Sequence, residues 1–269
     1  MTPIKVIDIS EHNTRRGKID FAKVKQSGVS GVMIRIGWAG YEGGLDVDDN
    51  LHDSITSAAA AGLGVGLYVY TYATSTAAAK RAAQEAVAIA QRYLQMITYP
   101  IVYDIEEEKI SCLTSLGKRV LTETVIAFCD EVQRQRYYAA WYTYTYYATQ
   151  YLEVSKLAAY DLWAADYRTK DKLDAQIGRG YGMWQYIGDK GTCPGVTGPC
   201  DRNYAYRDYP VIIKKAGLNG FGKAAPTPVD TVPRADYDAL QSKLAAVTAE
   251  RDACKSIVQQ IKVLADKYK

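Results

Sequence analysis

The sequence runs Tyr99-Pro-Ile-Val-Tyr-Asp-Ile-Glu106 near its middle, and this stretch decides the expected fold and site. Its apolar, β-favouring residues predict a buried strand. Side chains at positions i and i+2 of a strand point to one face, so Asp104 and Glu106 should project together, about 7 Å apart along the chain. Buried like charges resist joint ionisation, so one of the two carboxyls should keep its proton. Glycoside hydrolysis uses such a pair, although two solvated acids at a strand end would give the same residues.

Strand-like and helix-like segments alternate on both sides of this stretch. Helical periodicity separates successive β-rich segments, and the repeated unit over about 220 residues favours a β/α barrel of parallel strands. The β-rich segments are 4–9, 32–36, 65–72, 101–105 and 138–144, followed by shorter pieces at 162–165, 183–187 and 204–206. The helical segments between them are 19–26, 51–61, 76–97 and 116–136.

Acidic residues fall at the carboxyl ends of several predicted strands. In β/α barrels the active site forms at this end of the strands. Acids that reach one face from separate strands are hard to explain by stability, because their charges repel each other. We therefore expect the active site there, with its acids at Asp8, Asp104, Glu106, Asp166 and Asp201.

Tyrosine is over-represented, with 23 residues against 3 phenylalanines and 4 tryptophans. Each buried tyrosine hydroxyl needs a hydrogen-bond partner, which makes phenylalanine the simpler choice for a core. Tyrosine rings can stack on sugars and hydrogen-bond to them through the hydroxyl group, which suits a solvent-exposed binding groove. The β-propensity of tyrosine alone, however, also places it in strands. The candidate substrate-binding residues are Tyr70, Tyr72, Tyr142, Trp163, Asp166, Trp184 and Gln185.

Composition argues against several other classes of function. The net charge of +3, from 33 basic and 30 acidic residues, gives no electrostatic case for nucleic-acid binding. No apolar run reaches the roughly 18 residues that a membrane span needs. Two histidines and five cysteines without metal-ligand spacing support neither a histidine triad nor a zinc site, so we expect no metal and no cofactor.

Two further features leave alternatives open. Cys193 and Cys200 bracket a turn rich in proline and glycine and could close a small disulfide loop, but the lack of a visible secretory signal favours free thiols. Arg35, at the end of the second predicted strand, either reaches the cleft or forms a structural ion pair. We leave Asp48, on the loop after it, out of the site.

Six blocks of sequence, in the expected order over residues 4–222, resemble glycoside hydrolase family 25, the muramidases common among phage endolysins. Each block is weak alone, and their order makes the resemblance specific. They are Asp8-Ile-Ser-Glu-His-Asn13 with Ile19-Asp-Phe21, Ala61-Gly-Leu-Gly-Val-Gly-Leu-Tyr68, Ile101-Val-Tyr-Asp-Ile-Glu106, Leu162-Trp-Ala-Ala-Asp-Tyr167, Trp184-Gln-Tyr186, and Gly195-Val-Thr-Gly198 with Asp201-Arg-Asn203.

The resemblance implies an irregular TIM-like β/α barrel that cleaves the β-1,4 bond between N-acetylmuramic acid and N-acetylglucosamine in peptidoglycan. It implies that Glu106 is the general acid. It makes Asp104 the partner, either as nucleophile or by steering the 2-acetamido group of the substrate. Asp8 and Asp201 would line the site. The alternatives are a catalytically weak wall-binding module on the same barrel, a bacterial autolysin, and a chitinase-like enzyme, which would usually carry an acid where this chain has Val102.

The expected organisation has three parts: a catalytic barrel at 1–222, a proline-rich linker at 223–233 and a helical segment at 234–269. Apolar residues follow an a/d heptad pattern over 237–264, which predicts a homodimer or higher oligomer, or a single helix packed on the barrel or another partner. With no visible signal peptide, we expect synthesis in the host cytoplasm and action on the cell wall after holin-type release, or an extracellular location.

Overall fold

The computed structural model describes residues 2–106, 113–178 and 180–222. The predicted linker and heptad segment lie outside the described residues, so the three-part organisation stays a prediction. Within the described ranges, no helix combines the length and hydropathy that a membrane crossing requires.

The described residues contain nine β-strands in a single sheet. The strands are β1 (Ile4–Ile9), β2 (Gly31–Ala39), β3 (Leu45–Val47), β4 (Gly64–Thr71), β5 (Ile97–Asp104), β6 (Ala139–Tyr144), β7 (Asp161–Ala165), β8 (Met183–Ile187) and β9 (Asp201–Ala205).

Eight of these strands close into a barrel in the order β1-β2-β4-β5-β6-β7-β8-β9, with β9 pairing back to β1. The predicted α/β barrel is therefore confirmed. It is irregular because β9 runs antiparallel to both of its neighbours, and β3 pairs antiparallel with β2 as an extension at the rim. The remaining barrel pairings are parallel, as the alternation of strands and helices predicts.

Helices connect most of the strands and cover the outside of the barrel. They are α1 (Glu11–Thr14), α2 (Phe21–Gln26), α3 (Leu51–Ala60), α4 (Thr76–Ala90), α5 (Lys118–Arg134), α6 (Thr145–Tyr151), α7 (Lys170–Ile177) and α8 (Tyr209–Lys215).

One predicted helix ends earlier than the sequence indicates. The helix predicted at 76–97 ends at Ala90, because a short 3-10 turn follows and Gln95 adopts a positive φ of 64° before β5 begins. The strand predicted at 138–144 is confirmed as β6, and α6 begins directly after it at Thr145.

The interior of the barrel is packed separately from the layer between strands and helices. Alternate side chains of the strands point inward, among them Val6, Met33, Tyr99 and Val102. A Cβ on Gly66 would lie 2.4 Å from the sulfur of Met33 and 2.6 Å from Cβ of Tyr99, so glycine makes room for these side chains. The middle of the barrel is therefore filled, and polar side chains gather at the carboxyl ends of the strands.

Candidate active site

Strand β5 delivers the central pair of carboxyls. Asp104 ends the strand, is 5% exposed, and lies in register with Tyr70 of β4 and Tyr142 of β6. Its neighbour at i−2, Val102, belongs to the inner core, so Asp104 also points inward. Glu106 follows and is half-buried. Burial raises the pKa of Tyr142 well above its usual value, and the negative charges of Glu106 and Asp104 raise it further. Both carboxyls therefore lie near this ring.

A second pair of acids forms where the barrel closes. Asp8 and Asp201 are direct partners in the antiparallel pairing of β1 and β9, and both point inward. Oδ2 of Asp8 accepts hydrogen bonds from Nδ2 of Asn203 at 2.8 Å and from Nε2 of Gln185 at 3.1 Å. The same Nε2 donates to Oδ2 of Asp201 at 3.3 Å. One amide therefore bridges the two carboxyls.

The environment of this second pair favours a bound proton. Burial raises the pKa of Asp8 to about 6, although the hydrogen bonds from Asn203 and Gln185 oppose the rise. Burial raises the pKa of Asp201 to about 8, with further contributions from the charges of Asp8, Asp189 and Glu106. Near neutral pH the two carboxyls therefore share one proton, which belongs to the pair and not to either residue alone.

Hydrogen bonds from aromatic side chains fix the orientation of the Gln185 and Asn203 amides. Oε1 of Gln185 accepts from the hydroxyl of Tyr142 at 2.9 Å and from that of Tyr167 at 2.8 Å. Because a carboxamide oxygen cannot donate, the amide nitrogen of Gln185 must face the carboxyls. In the same way, the indole N–H of Trp163 donates to Oδ1 of Asn203 at 2.8 Å and turns its nitrogen toward Asp8.

A cleft of about 600 Å³ opens above these acids. Part of its wall is the turn that starts α1, where Oδ1 of Asn13 accepts from the backbone N–H of Ser10 and Nδ2 of Asn13 donates to the carbonyl of Pro199 at 2.9 Å. The turn thereby ties the end of β1 to the loop before β9. The cleft is lined by Asp8, Asp201, Tyr68, Asp189, His12 and Asn13, with four further residues.

Tyrosine rings lead from the surface toward Asp104. Tyr70 is buried and lies beside Asp104 in the sheet, and its ring centroid is 5.3 Å from that of Tyr72. The ring of Tyr72 is 6.3 Å from that of Tyr41, which is 52% exposed. Tyr70 and Tyr72, both predicted to bind substrate, thus belong to a row of three rings with Tyr41. Tyr41 was not predicted because it lies in a loop without a strand pattern.

Several predicted substrate-binding residues occupy other positions. Trp163 is 2% exposed and packs against Tyr142, so it supports the site from within the core. Gln185 lies inside the barrel with the acids. Trp184 is its neighbour in β8 and therefore points to the outer face, where its N–H donates to the carbonyl of Asp166. The expectation that Trp184 lines the cleft together with Gln185 overlooked this alternation.

Asp166 differs from the other acids at the strand ends. Its carboxyl accepts from Nε of Arg168 and from the hydroxyl of Thr145, each at 2.8 Å. Burial works to raise the pKa of Asp166, but the hydrogen bonds from Arg168 and Thr145 hold it below its usual value. Asp166 is therefore an ion-paired carboxylate, in contrast to the proton-holding pair at Asp8 and Asp201.

Of the two alternatives for Arg35, the structure shows the structural ion pair. Its Nε lies 3.0 Å from Oδ2 of Asp48, and a guanidinium nitrogen lies 3.5 Å from Oε1 of Glu11. All three side chains are buried. This network anchors α1, the helix that carries His12 and Asn13 into the cleft wall.

Two polar residues of the site were not assigned from the sequence. Asn203 lies two positions after Asp201 on the same strand, so the i, i+2 rule would have placed its amide on the same face as Asp201. Tyr167 follows directly after Asp166 in a loop, and its hydrogen bond to Gln185 has no signature in the spacing of residues.

A closed β/α barrel with carboxyls gathered at the carboxyl ends of its strands defines a β/α-barrel enzyme of the acid–base type. The family model Glycosyl hydrolases family 25 matches residues 7–196, and the chain belongs to this family. The family resemblance noted in the sequence is thereby confirmed. No curated protein sequence matches the chain.

Solved structures share the fold. The modular autolysin LytC from Streptococcus pneumoniae, in complex with a synthetic peptidoglycan ligand, is 25% identical, with a TM-score of 0.65 over 76% of this chain and 47% of that chain. This chain thus spans about half the length of that autolysin. The CTP1L endolysin is 23% identical, with a TM-score of 0.64 over 79% of this chain and 70% of that chain. The catalytic domain of endolysin ply40 from bacteriophage P40 of Listeria monocytogenes is 22% identical, with a TM-score of 0.62 over 81% of this chain and 98% of that chain.

Proposed function

We propose that this protein is a lysozyme, an N-acetylmuramidase that hydrolyses the β-1,4 bond between N-acetylmuramic acid and N-acetylglucosamine in bacterial cell-wall peptidoglycan. The observation that carries the proposal is the acidic end of a family 25 barrel. There β5 brings Asp104 and Glu106 to the same end of the barrel at which Asp8 faces Asp201. The substrate class is supported by the peptidoglycan ligand bound in the similar autolysin.

Glu106 is the proposed general acid. It is half-buried at the end of β5, whereas Asp104 lies deeper between Tyr70 and Tyr142. Glu106 gives its proton to the glycosidic oxygen as the bond from this oxygen to the anomeric carbon breaks. Water then adds to the anomeric carbon and returns a proton to Glu106, which completes the hydrolysis.

Asp104 is the proposed partner that stabilises the positive charge at the anomeric carbon. A carboxylate in this position acts in one of two ways: it bonds to the anomeric carbon as nucleophile, or it orients the 2-acetamido group of the sugar so that this group attacks instead. Its location in the buried interior strengthens its electrostatic effect, because few water molecules screen the charge.

Asp8 and Asp201 are proposed to line the site and hold hydrogen bonds to the sugar. With one proton shared between them, the pair offers both a donor and an acceptor to substrate hydroxyl groups. This protonation also lowers the negative charge around Glu106, and less repulsion is then exerted on the central pair.

Some of the aromatic and polar residues around the acids are proposed to contact the glycan, and others to hold the site together. Tyr70 and Tyr72 offer ring faces and hydroxyl groups, and Tyr142 and Gln185 offer polar atoms beside the acids. For Trp163, Asp166 and Trp184 the contacts described above support a role in holding the site together.

Product analysis tests the proposed reaction. Purified peptidoglycan is digested with the full-length protein, and new reducing ends and new free amines are quantified separately. The proposal expects reducing ends without amines, with N-acetylmuramic acid at the new end. A wall-binding module would retain the wall in a pull-down assay and release neither product, and an amidase or peptidase would release amines.

We further propose a phage or prophage origin, which the likeness to a bacteriophage endolysin supports. A bacterial autolysin is the second candidate, favoured by the likeness to the Streptococcus pneumoniae enzyme. In either case the protein acts on the cell wall. Release from the host cytoplasm through a membrane lesion is the delivery route proposed for an endolysin, and an extracellular location is the alternative.

Self-association through residues 237–264 is also proposed, on the heptad pattern of the sequence alone. Two linked catalytic units would bind a polymeric wall more tightly than one, because the second unit binds at a high effective concentration. Light scattering of the full-length protein and of a chain shortened to end at Gly222 tests this. Equal monomer masses would contradict the proposal.

A further inference from the structure

The outer face of β8 and β9 differs from the outer face of the strands before them. Outward-facing side chains of β5, β6 and β7, such as Tyr103, Trp141 and Leu162, are fully buried beneath the helices. The outward-facing side chains of β8 and β9 remain partly exposed. They are Trp184, Tyr186, Arg202, Tyr204 and, directly after β9, Tyr206, and we call this surface the outer strip.

The connections of β8 and β9 explain this exposure. The connection from β8 to β9 contains no helix, so the layer that buries the other strands is missing here. The helix after β9 is α8, and it directs Tyr209 and Ile213 into the interior core of the barrel. The outer strip is therefore a sheet face that is open to solvent in the described part of the chain.

Aromatic rings form two groups along the outer strip. The rings of Tyr186 and Tyr204 stack with their centroids 4.4 Å apart and an interplanar angle of 14°. The ring of Trp184 lies 5.8 Å from that of Tyr186 and 6.2 Å from that of Tyr204. Further along, the rings of Tyr206 and Tyr181 meet edge-on at 5.6 Å beside an open pocket of about 490 Å³. Partly exposed rings in such a row suit the apolar faces of successive sugar rings.

Positive charge lies beside the first group of rings. The guanidinium carbon of Arg202 is 5.9 Å from the ring centroid of Tyr186. Lys5 of β1 is exposed and is the cross-strand partner of Tyr204. Among the residues that the structure describes, neither Arg202 nor Lys5 forms a salt bridge. Both charges therefore remain for a negatively charged ligand.

The second group of rings is balanced in charge. Nζ of Lys170 lies 5.7 Å from the ring centroids of Tyr181 and Tyr206 and 2.5 Å from Oδ2 of Asp174. The hydroxyl of Tyr181 donates to Oδ1 of Asp174 at 2.6 Å. A ligand that lies along the whole strip should therefore place its negative charges near Arg202 and Lys5.

The outer strip is separate from the cleft that holds the acids. Gln185 and Asn203 alternate with the residues of the strip and point into the barrel, where their amides donate to Asp8. The strip therefore lies on the opposite side of the same two strands. A sugar held in the cleft does not reach this face, whereas a neighbouring chain of the same polymer can.

We propose that the outer strip is a second binding site for the cell wall, which holds a peptidoglycan chain other than the one being cleaved. The proposal rests on the proposed function, because that function supplies the polymer. Sugar rings of the held chain stack on the aromatic rings, and carboxylates of its stem peptides pair with Arg202 and Lys5. Binding at the strip keeps the cleft at a high effective concentration of uncleaved glycan.

The charged part of the strip is tested with full-length protein carrying Glu106→Gln, so that the wall stays intact during the measurement. Binding to purified insoluble peptidoglycan is measured by co-sedimentation at about 50 mM and about 500 mM salt. Adding Arg202→Gln should weaken binding about two- to fivefold at the lower salt and hardly at the higher, because salt screens exposed ion pairs. Arg202→Lys should restore binding. Arg92→Gln, at an exposed arginine that follows α4, is the matched control and should leave binding unchanged.

The aromatic part is tested in the same background with Tyr204→Ala. This variant should weaken wall binding about three- to tenfold at both salt concentrations, because stacking does not depend on ionic strength. Tyr204→Phe keeps the ring and should retain most of the affinity. Tm is measured for each variant. If Tyr204→Ala fails to fold, Tyr204→Phe and Arg202→Gln still test the site.

Unchanged wall binding in Arg202→Gln at low salt would overturn the proposal, as would unchanged binding in a folded Tyr204→Ala protein. An equal loss in Arg92→Gln would show that only net charge matters and would also overturn it. A smaller mass of Tyr204→Ala in light scattering, with wall binding intact, would assign the strip to a second copy of this chain instead. Co-sedimentation counts no reducing ends, so failure of the strip is distinct from failure of the lysozyme activity, which product analysis of the native protein reports.

Discussion

Asp8 and Asp201 are direct cross-strand partners in the antiparallel pairing of β1 with β9, and the amide nitrogen of Gln185 donates to both carboxyls. Like charges in directly opposite positions destabilise a sheet when both are ionised. The structure reduces this cost by keeping a proton on the pair, as the raised pKa values of both residues indicate. The pair therefore stores a proton at the end of the barrel where β5 places Asp104.

This relationship predicts a specific dependence of stability on pH. The pKa of Asp201 rises on folding from the usual value to about 8, so the folded state binds more protons than the unfolded state between about pH 4 and pH 8. The contribution of Asp201 to stability is complete below this window and is lost as the pH rises through it. Asp201→Asn cannot ionise and should gain on the order of 1–3 kcal/mol over the native chain between pH 4 and pH 8.

Urea denaturation of both proteins at pH 4, 6 and 8 measures this difference. Asp166→Asn serves as the matched control, because the pKa of Asp166 is lowered in the folded state. Its ion pair contributes stability at neutral pH that is lost as the pH falls, so this variant should be less stable than the native chain at pH 8. A stability difference for Asp201→Asn that does not change with pH would rule out the stored proton.

Trp163 should act on the reaction through Asn203. Trp163→Phe keeps an aromatic ring in the core but removes the N–H that orients the amide of Asn203. Asp8 then loses a fixed hydrogen-bond donor, and its pKa should rise above about 6. We expect kcat/KM to fall roughly tenfold, with the acidic limb of its pH profile displaced to higher pH.

The control for this variant is Trp184→Phe, which removes a partly buried indole hydrogen bond on the outer face of β8. It should leave the pH profile of kcat/KM unchanged, whatever its effect on Tm. Identical pH profiles for the two tryptophan variants would show that the link from Trp163 to Asp8 has no role in the reaction.

Tyr41 should extend the glycan-binding groove. Its ring is exposed and lies directly beside that of Tyr72, at the outer end of the row of tyrosine rings that leads to Asp104. Tyr41→Ala should raise KM for long peptidoglycan strands three- to tenfold, on the order of 1 kcal/mol of stacking, with kcat unchanged. Tyr41→Phe should retain most of the affinity. Val211→Ala, an exposed substitution on α8, is the control, and an equal change in KM for both alanine variants would contradict the assignment.

The barrel and its central acids were predictable because both rest on local periodicity. The i, i+2 spacing predicts that Asp104 and Glu106 share a face, and the strand-end rule predicts that Asp8 and Asp201 lie at the same end of the barrel as Asp104. Sequence periodicity does not reveal the direction of strand pairing, however. The antiparallel course of β9 sets Asp201 directly opposite Asp8, and this contact required the structure.

The remaining differences come from contacts that local patterns do not encode. Asp166 lies at a strand end like the other acids, but Arg168, in the loop that follows, binds its carboxyl group in an ion pair. Trp184 could have been assigned correctly, because strict alternation with Gln185 sends it to the outer face. Sequence thus predicts which strands bring residues to the site, and loops decide which of those residues remain free for substrate.

The central claim is that Glu106 donates the proton that breaks a glycosidic bond, and the most direct test is the rate of new reducing ends from purified peptidoglycan. Glu106→Gln should lower this rate by at least about 100-fold with Tm and wall binding preserved, because glutamine matches the shape of glutamate but cannot serve as an acid. Glu123→Gln, a surface substitution on α5, should retain the native rate. A near-native rate of reducing-end formation in Glu106→Gln would contradict the account.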